Sequence, residues 1–463
     1  MKAQNIFKYL IIGFIALLFA ACTNTDAEQK FEQTPTERLN AQKKELNDLL
    51  LSSENGWKVV YFTDNTVLGG YTHLIKFAQD GTVQMASDFD DDTDVYKSEY
   101  AIQLGSTVSL VFTTKNRIHL LSDSDDYPIP ALRAKGYLGD FQFLYYGQEN
   151  GEIIFKTNRV NENTGVNGEL RFVKATAQDW TDLHKNIDMI DNVIGDPSRP
   201  LFRLLETNDG KTIHQFDFTF SEVTRFAEAN SVETGYSVTY DMGIGYSPTG
   251  IVVSPAVEVG GQKLSVFVYK DSDGSFTATG TNGVSATIKY SSKPLVLTDD
   301  YKILLPLNAN VVYGHDRSIL ELAPTNSLLF ISIFKTIESN LAVGSKLTRI
   351  QPWFNTPNGS YVEYRFVSST GATTRIYHYF TLTSDAANKT ITLHPTTIWK
   401  KGSTFANAVT TSPEANLKDL DDNLMNPKGL YFKRENFTVG ASNTVFTFTS
   451  TDSPFRMTTW AFQ

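Results

Sequence analysis

The chain of 463 residues holds a single cysteine, Cys22. Disulfide frameworks and multi-cysteine metal sites are therefore excluded, and so is thiolate catalysis anywhere beyond that residue. After residue 21 no apolar run reaches the roughly 20 residues that a membrane-crossing helix needs. Lys and Arg are scattered rather than clustered and the net charge is −10, which argues against a nucleic-acid surface. The seven histidines offer no H-E-x-x-H pair, and no Walker loop occurs. Gly243-Ile244-Gly245-Tyr246-Ser247-Pro248 opens like a dinucleotide fingerprint but puts Pro248 where the third glycine belongs, and Ser247 lacks the G-x-S-x-G elbow. Familiar enzyme motifs are absent, and the reading is of a non-enzyme with no cofactor other than a calcium candidate.

What is present begins at the N-terminus. Lys2 and Lys8 precede an apolar stretch, Leu10 to Leu18, and the small residues Ala20 and Ala21 stand directly before Cys22. These are the parts of a secretory signal peptide, and the apolar stretch is too short to span a bilayer. A cysteine immediately after the small residues resembles the lipobox of bacterial lipoproteins, with Phe19 where Leu is preferred. That resemblance implies cleavage after residue 21 and acylation of Cys22, with palmitate among the chains; more than one chain is needed for stable anchoring. Loss of Lys2 and Lys8 would take the net charge from −10 to −12. Residues 22–35 read as a polar tether. Within it Asp26 and Glu28 resemble the acidic signal that places Bacteroidota lipoproteins on the outer face of the outer membrane.

Aromatic residues make up 12% of the chain, and Asp-Gly and Asn-Gly turns recur, so strands are favoured over helices. Thr34-Pro35-Thr36-Glu37 predicts a capped helix carrying Leu39, Leu46, Leu49 and Leu50 on one face, stopped by Gly56. Strands are predicted at 57–62, 71–77, 82–86, 97–103, 108–113, 118–121, 140–146 and 152–155. The pattern then restarts. Thr176 caps a second helix with Trp180, Leu183, Ile187, Ile190 and Ile194 at 3,4,3,4 spacing, ended by Gly195. Strands follow at 201–206, 212–220, 235–240, 250–254, 263–269 and 275–279. Beyond Tyr301 the repeat fades; strands are predicted at 328–334, 362–367, 374–382, 390–393, 430–433 and 445–450. A short helix is predicted between Ser412 and Asn426-Pro427-Lys428-Gly429, carrying Leu417, Leu420 and Leu424.

The fold class is therefore mainly β. Two lipocalin-like barrel or sandwich units, each with one packed helix, occupy residues 36–173 and 174–299, and a third β-rich region spans 300–463.

Five spaced motifs carry a family resemblance: Glu37-Arg38-Leu39, Gly56-Trp57, Phe77-Ala78-Gln79-Asp80-Gly81-Thr82-Val83, Ile118-His119-Leu120-Leu121-Ser122-Asp123 and Gly139-Asp140-Phe141-Gln142-Phe143. In this order they resemble the Bacteroidota lipoprotein family known as domain of unknown function number forty-three hundred and two, over roughly residues 36–290. The family has no assigned activity. Its members look like accessory lipoproteins of outer-membrane nutrient-uptake systems that pair a transporter with a surface binding lipoprotein. The resemblance implies those partners, besides the lipid bilayer reached through acylated Cys22, and a lipid-anchored place at the cell surface.

Asp88-Phe89-Asp90-Asp91-Asp92-Thr93-Asp94 is the densest charge cluster. Asp88, Asp90 and Asp92 alternate, and Glu99 follows eleven residues after Asp88, the spacing of a bidentate calcium-loop glutamate. Thr93 stands where such a loop needs Gly, and a solvated hairpin tip is the competing reading. His119, between Ile118 and Leu120, reads as a hydrogen-bonded structural histidine on a strand. Tyr145-Tyr146, Trp353-Phe354 and Tyr377-His378-Tyr379 should each place one ring in a core and one outward. An accessory binding or scaffolding role is the leading expectation. An adhesin or structural surface protein is the first alternative, and a carboxylate-based hydrolase, needing a carboxylate pair about 5–10 Å apart, is the second.

Overall fold

The computed structural model describes residues 34–195, 202–291, 293–308, 310–323, 325–439 and 441–462. Cys22 and the stretch read as a signal peptide lie outside the described residues. The first helix, α1 (Pro35–Leu51), starts as its sequence dictates. Thr34 Oγ1 accepts from the Glu37 N–H at 3.2 Å, and Glu37 Oε2 accepts from the Thr34 N–H at 2.8 Å. The helix stops at Leu51 rather than at Gly56. Gly56 instead forms the tight entry into the first strand at φ +72°, where a Cβ would meet the Ile75 carbonyl oxygen at 2.3 Å.

A closed eight-stranded antiparallel barrel follows: β1 (Trp57–Phe62), β2 (Gly70–Phe77), β3 (Thr82–Ser87), β4 (Tyr96–Leu104), β5 (Val108–Phe112), β6 (Gln142–Glu149), β7 (Glu152–Val160) and β8 (Asn167–Lys174). Each strand pairs with the next, and β1 closes on β8 through Trp57–Lys174 and Lys58–Val173. Between β5 and β6 the segment expected as a strand at 118–121 is a one-turn helix, α2 (Arg117–Leu120). Asn116 caps it by accepting from the Arg117 N–H, and His119 Nδ1 accepts from the Asn116 N–H, a local pairing that overrides alternation. The barrel interior is filled by Tyr61, Phe112, Phe143, Phe155 and Phe172, with Leu46 and Leu50 of α1 packed against it.

The second unit repeats the scheme. Its helix is broken in two, α3 (Ala177–Asp182) and α4 (Lys185–Ile194). The buried seam runs through Leu183, Asn186, Met189 and Val193, about one position away from the predicted apolar stripe, and Ile194 is exposed. The barrel consists of β9 (Phe202–Asp209), β10 (Ile213–Ser221), β11 (Phe226–Ser231), β12 (Thr239–Ser247), β13 (Gly250–Val259), β14 (Gln262–Lys270), β15 (Ser275–Thr279) and β16 (Val284–Ser291), closed between β16 and β9.

The third region is one nine-stranded sheet. In chain order its elements are β17 (Val311–Asp316), α5 (Arg317–Leu320), α6 (Leu328–Ser339), β18 (Lys346–Thr356), β19 (Gly359–Val367), β20 (Thr373–Asp385), β21 (Thr390–Gly402), β22 (Val409–Thr410), α7 (Lys418–Leu424), β23 (Leu430–Val439), β24 (Ala441–Ser450) and β25 (Arg456–Phe462). The spatial order is β20-β19-β18-β17-β25-β24-β23-β21-β22, and β20 also pairs with β21. The expected strand at 328–334 is helix α6. Ser327 caps it, and Phe330, Ile333, Phe334 and Ile337 form the helical stripe that enters the core. Helix α7 contributes Leu420 and Leu424 to the same core, with Leu417 just before it. Among the described residues no helix is long and apolar enough to cross a membrane.

Candidate functional site

The four carboxylates expected around calcium are not gathered at one point. Among the described residues no group of three or more His, Cys, Asp or Glu side chains could hold a metal ion. Asp88 leaves β3 turned inward and is fully buried. Asp90 and Asp92 lie on the surface turn and face the buried Arg117, Asp92 at 3.5 Å. Tyr96 Oη donates to Asp92 at 2.6 Å, and this bond holds the Asp92 carboxyl below its usual range. Glu99 is exposed on β4, opposite Thr82. The cluster is thus divided by the strand end: one carboxylate goes into the protein and the others stay on the turn.

What Asp88 meets inside is the second barrel. Its Oδ1 accepts from the Thr72 N–H at 2.8 Å and from Arg225 Nη1 at 3.2 Å, while its Oδ2 accepts from Asn186 Nδ2 at 2.8 Å. Arg225 Nη2 donates to the Asp88 and Phe89 carbonyl oxygens. The guanidinium lies between two rings, 4.2 Å from the centre of Tyr71 and 4.7 Å from that of Tyr246. A buried charge survives only when it is paired and hydrogen-bonded, and both conditions hold here.

The barrels meet along glycines. A Cβ on Gly243 would lie 2.4 Å from the Leu68 carbonyl oxygen, and one on Gly245 would lie 2.6 Å from Val60 Cγ1. Gly69 faces Arg225 and the Ile244 carbonyl as closely. The false dinucleotide fingerprint is therefore a strand, β12, whose missing side chains let two barrel walls touch. Gly69 N–H donates to the Thr224 carbonyl at 2.8 Å, and Lys58 Nζ pairs with Asp179 at 2.6 Å. Trp180 Nε1 donates to the Asn55 carbonyl at 2.8 Å, tying the second unit's helix to the first barrel.

Beside this junction, at one mouth of the first barrel, lies a cleft of about 490 Å³, within the usual size of small-ligand sites. One wall is the β1–β2 loop, residues 63–67, and the other is the β7–β8 hairpin. Ser254 of the second barrel reaches the cleft and accepts from Asn65 Nδ2 at 2.9 Å, so the loop is held from behind. The opposite wall is shaped by Asp140. Its Oδ2 accepts from the Asn158 and Arg159 N–H groups at 2.8 and 3.0 Å, where the β7–β8 register shifts. Its Oδ1 accepts from the Phe141 and Gln142 N–H groups. One carboxylate thus fixes four backbone donors and presents Arg159 to the cleft.

The lining charges are Asp64, Lys135, Arg159, Glu162 and Glu169. Lys135 is paired with Glu162 at 2.9 Å, which lowers the Glu162 carboxyl. Glu169 is paired with Arg171 at 2.8 Å. Asp64 Oδ1 accepts from the Thr66 N–H and hydroxyl. Thr63 Oγ1 is buried without a hydrogen-bond partner among the described residues. Nothing in the sequence marked this cleft, because its walls come from loops far apart in the chain and its residue types are ordinary for loops.

The aromatic pairs behave unevenly. Tyr145 is buried and donates to Glu45, while Tyr146 is 59% exposed and sits under Lys156. Phe354 is buried and Trp353 half-buried. Tyr377 and His378 are both buried, because Phe405 covers Tyr361 and Tyr377 on the outer sheet face. His378 Nδ1 meets Asp421 at 2.8 Å and its Nε2 meets the Thr396 carbonyl at 2.8 Å, so both ring nitrogens are bonded within the protein. His119 stacks on Phe141, with both nitrogens bonded to neighbouring backbone groups.

No curated protein matches the chain. The family model described as domain of unknown function (DUF4302) matches residues 27–271, more than half of the chain, covering the first barrel and the second through β14. The chain belongs to that family.

Proposed function

We propose that this protein is a lipid-anchored, non-catalytic binding component of an outer-membrane nutrient-uptake system, and that the cleft at the mouth of the first barrel takes the ligand. The observation that carries this reading is the cleft itself: about 490 Å³, walled by hydrogen-bonding loops and backed by a second barrel. Preformed concave sites with a few fixed polar groups are where small molecules bind, and a wall held from behind costs little ordering on binding. The order of Ala20, Ala21 and Cys22 supports acylation of Cys22, and the Asp26 and Glu28 tether supports a place at the cell surface. A neighbouring transporter and surface binding lipoprotein are the partners this role calls for.

Two experiments test the proposal. A binding screen of oligosaccharides and peptides against the full chain should return ligands whose affinity falls when Asn65 or Arg159 is replaced; a screen with no binder sensitive to those changes overturns the cleft reading. Metabolic labelling with a clickable fatty acid should mark wild type and spare Cys22→Ser, and equal labelling would remove the anchor.

A further inference from the structure

Arg159 stands apart from every other charge on the cleft wall. Lys135, Glu162 and Glu169 are consumed in ion pairs and Asp64 is folded into its own turn. The Arg159 guanidinium, half-buried, makes no hydrogen bond or ion pair to any described residue. It is nevertheless carefully placed, because Asp140 fixes the Asn158 and Arg159 N–H groups and Thr157 Oγ1 donates to the Arg159 carbonyl at 2.7 Å. Its charge helps to hold the Glu162 carboxyl low without a direct contact, and a guanidinium so placed, with its donors unoccupied by any described residue, is a fork for a planar anion, above all a carboxylate. Besides Glu162, the cleft lining holds amides and hydroxyls: Asn65, Asn163, Asn167, Thr63 and Thr164. The Nδ2 groups of Asn65, Asn163 and Asn167 are bonded within the protein, which fixes the three amides and leaves their Oδ1 atoms as acceptors suited to the hydroxyls of a sugar ring.

We propose that the cleft binds an acidic oligosaccharide, with Arg159 receiving the carboxylate of a uronic-acid residue and the flanking amides reading its hydroxyls. This rests on the reading of the cleft as the ligand site and adds the ligand's chemical class. Val67 and Leu138 on the lining supply the apolar surface on which one sugar face can lie.

The test is calorimetric titration of the full chain with a tetragalacturonate, its fully methyl-esterified form, and an acidic tetrapeptide. The acidic sugar should bind at least tenfold more tightly than its ester, since a charge-assisted pair is at stake. Arg159→Gln should erase that preference while leaving the melting temperature unchanged, and Arg159→Lys should restore only part of it. Rising salt should weaken the acidic sugar more than the ester. Equal binding of acid and ester, or a preference that survives Arg159→Gln, overturns the proposal while leaving the cleft as the site of a neutral ligand. Arg159-dependent binding of the peptide in place of the sugar overturns the sugar assignment. Absence of binding in every arm overturns the acidic-sugar proposal outright, and failure of the broader screen as well removes the cleft reading with it.

Discussion

Replacing Asp88 by Asn removes one charge from the junction and little volume. The new amide oxygen could still accept from the Thr72 N–H, but Arg225 would keep a full charge between Tyr71 and Tyr246 with no carboxylate beside it. The Asp88 side chain is 0% exposed and that of Arg225 6%. Water therefore cannot compensate, and breaking one side of such a pair costs about 3–5 kcal/mol. The Arg225→Met change on top of Asp88→Asn should recover part of that loss, because an apolar side chain tolerates the site better than an unpaired cation. Urea unfolding followed by tryptophan fluorescence would report on the first barrel through Trp57 and on the junction through Trp180, alongside Trp353, Trp399 and Trp460 of the third region. A single mutant within about 0.5 kcal/mol of wild type, or a double mutant no more stable than Asp88→Asn alone, would refute the claim that this pair is a desolvated bond between barrels.

Further outcomes follow from the same contacts. Gly243→Ala should destabilise by about 1–3 kcal/mol and by more than Gly245→Ala, since the first meets a backbone carbonyl and the second a movable Val60 methyl; equal effects in thermal melts would contradict this packing. Trp57→Ala should cost about 3–5 kcal/mol, because the ring is 1% exposed and its N–H donates to the Leu50 carbonyl at 2.9 Å; an unchanged melting temperature would place the ring at the surface. Burial pushes the His73 and His315 imidazoles down to about 4. Unfolded histidine binds its proton near pH 6.5, so this stability is complete above that pH and is lost as pH falls through 4, roughly 3 kcal/mol for each ring. Denaturation between pH 7 and 4 should show that decline, and His73→Gln with His315→Gln should flatten it. Millimolar calcium should raise the melting temperature no more than magnesium does, because Asp88 is bonded inside and Asp90 and Asp92 are engaged with Arg117; a calcium-specific shift abolished by Asp90→Asn with Asp92→Asn would restore the cation site.

The barrels were legible where alternation was strong. Trp57 to Phe62 alternates buried and half-buried residues along its whole length, and its boundaries agree with the sequence reading. Strand β8 escapes prediction because only Leu170 and Phe172 carry the inward face, and β11 because its inward residues are Ala227 and Ala229, too small to signal burial. Helix α6 reads as a strand because a run of Leu, Phe and Ile is apolar in either period, and only Ser327 hints at a helix start. Asp88 could not be assigned from its neighbours, since its partner lies 137 residues away. The acidic spacing is real, but the strand end at Ser87 divides it, and the cleft residues carry no local pattern at all.

The most direct test of the account is hydrogen exchange of the full chain with and without a ligand returned by the binding screen. Ligand-dependent protection should fall on the β1–β2 loop and on residues 157–168, where the cleft walls are built from Asp64, Asn65, Arg159 and Asn167. Protection confined to the outer face of the third sheet, around Trp353, Tyr361 and Phe405, would contradict it.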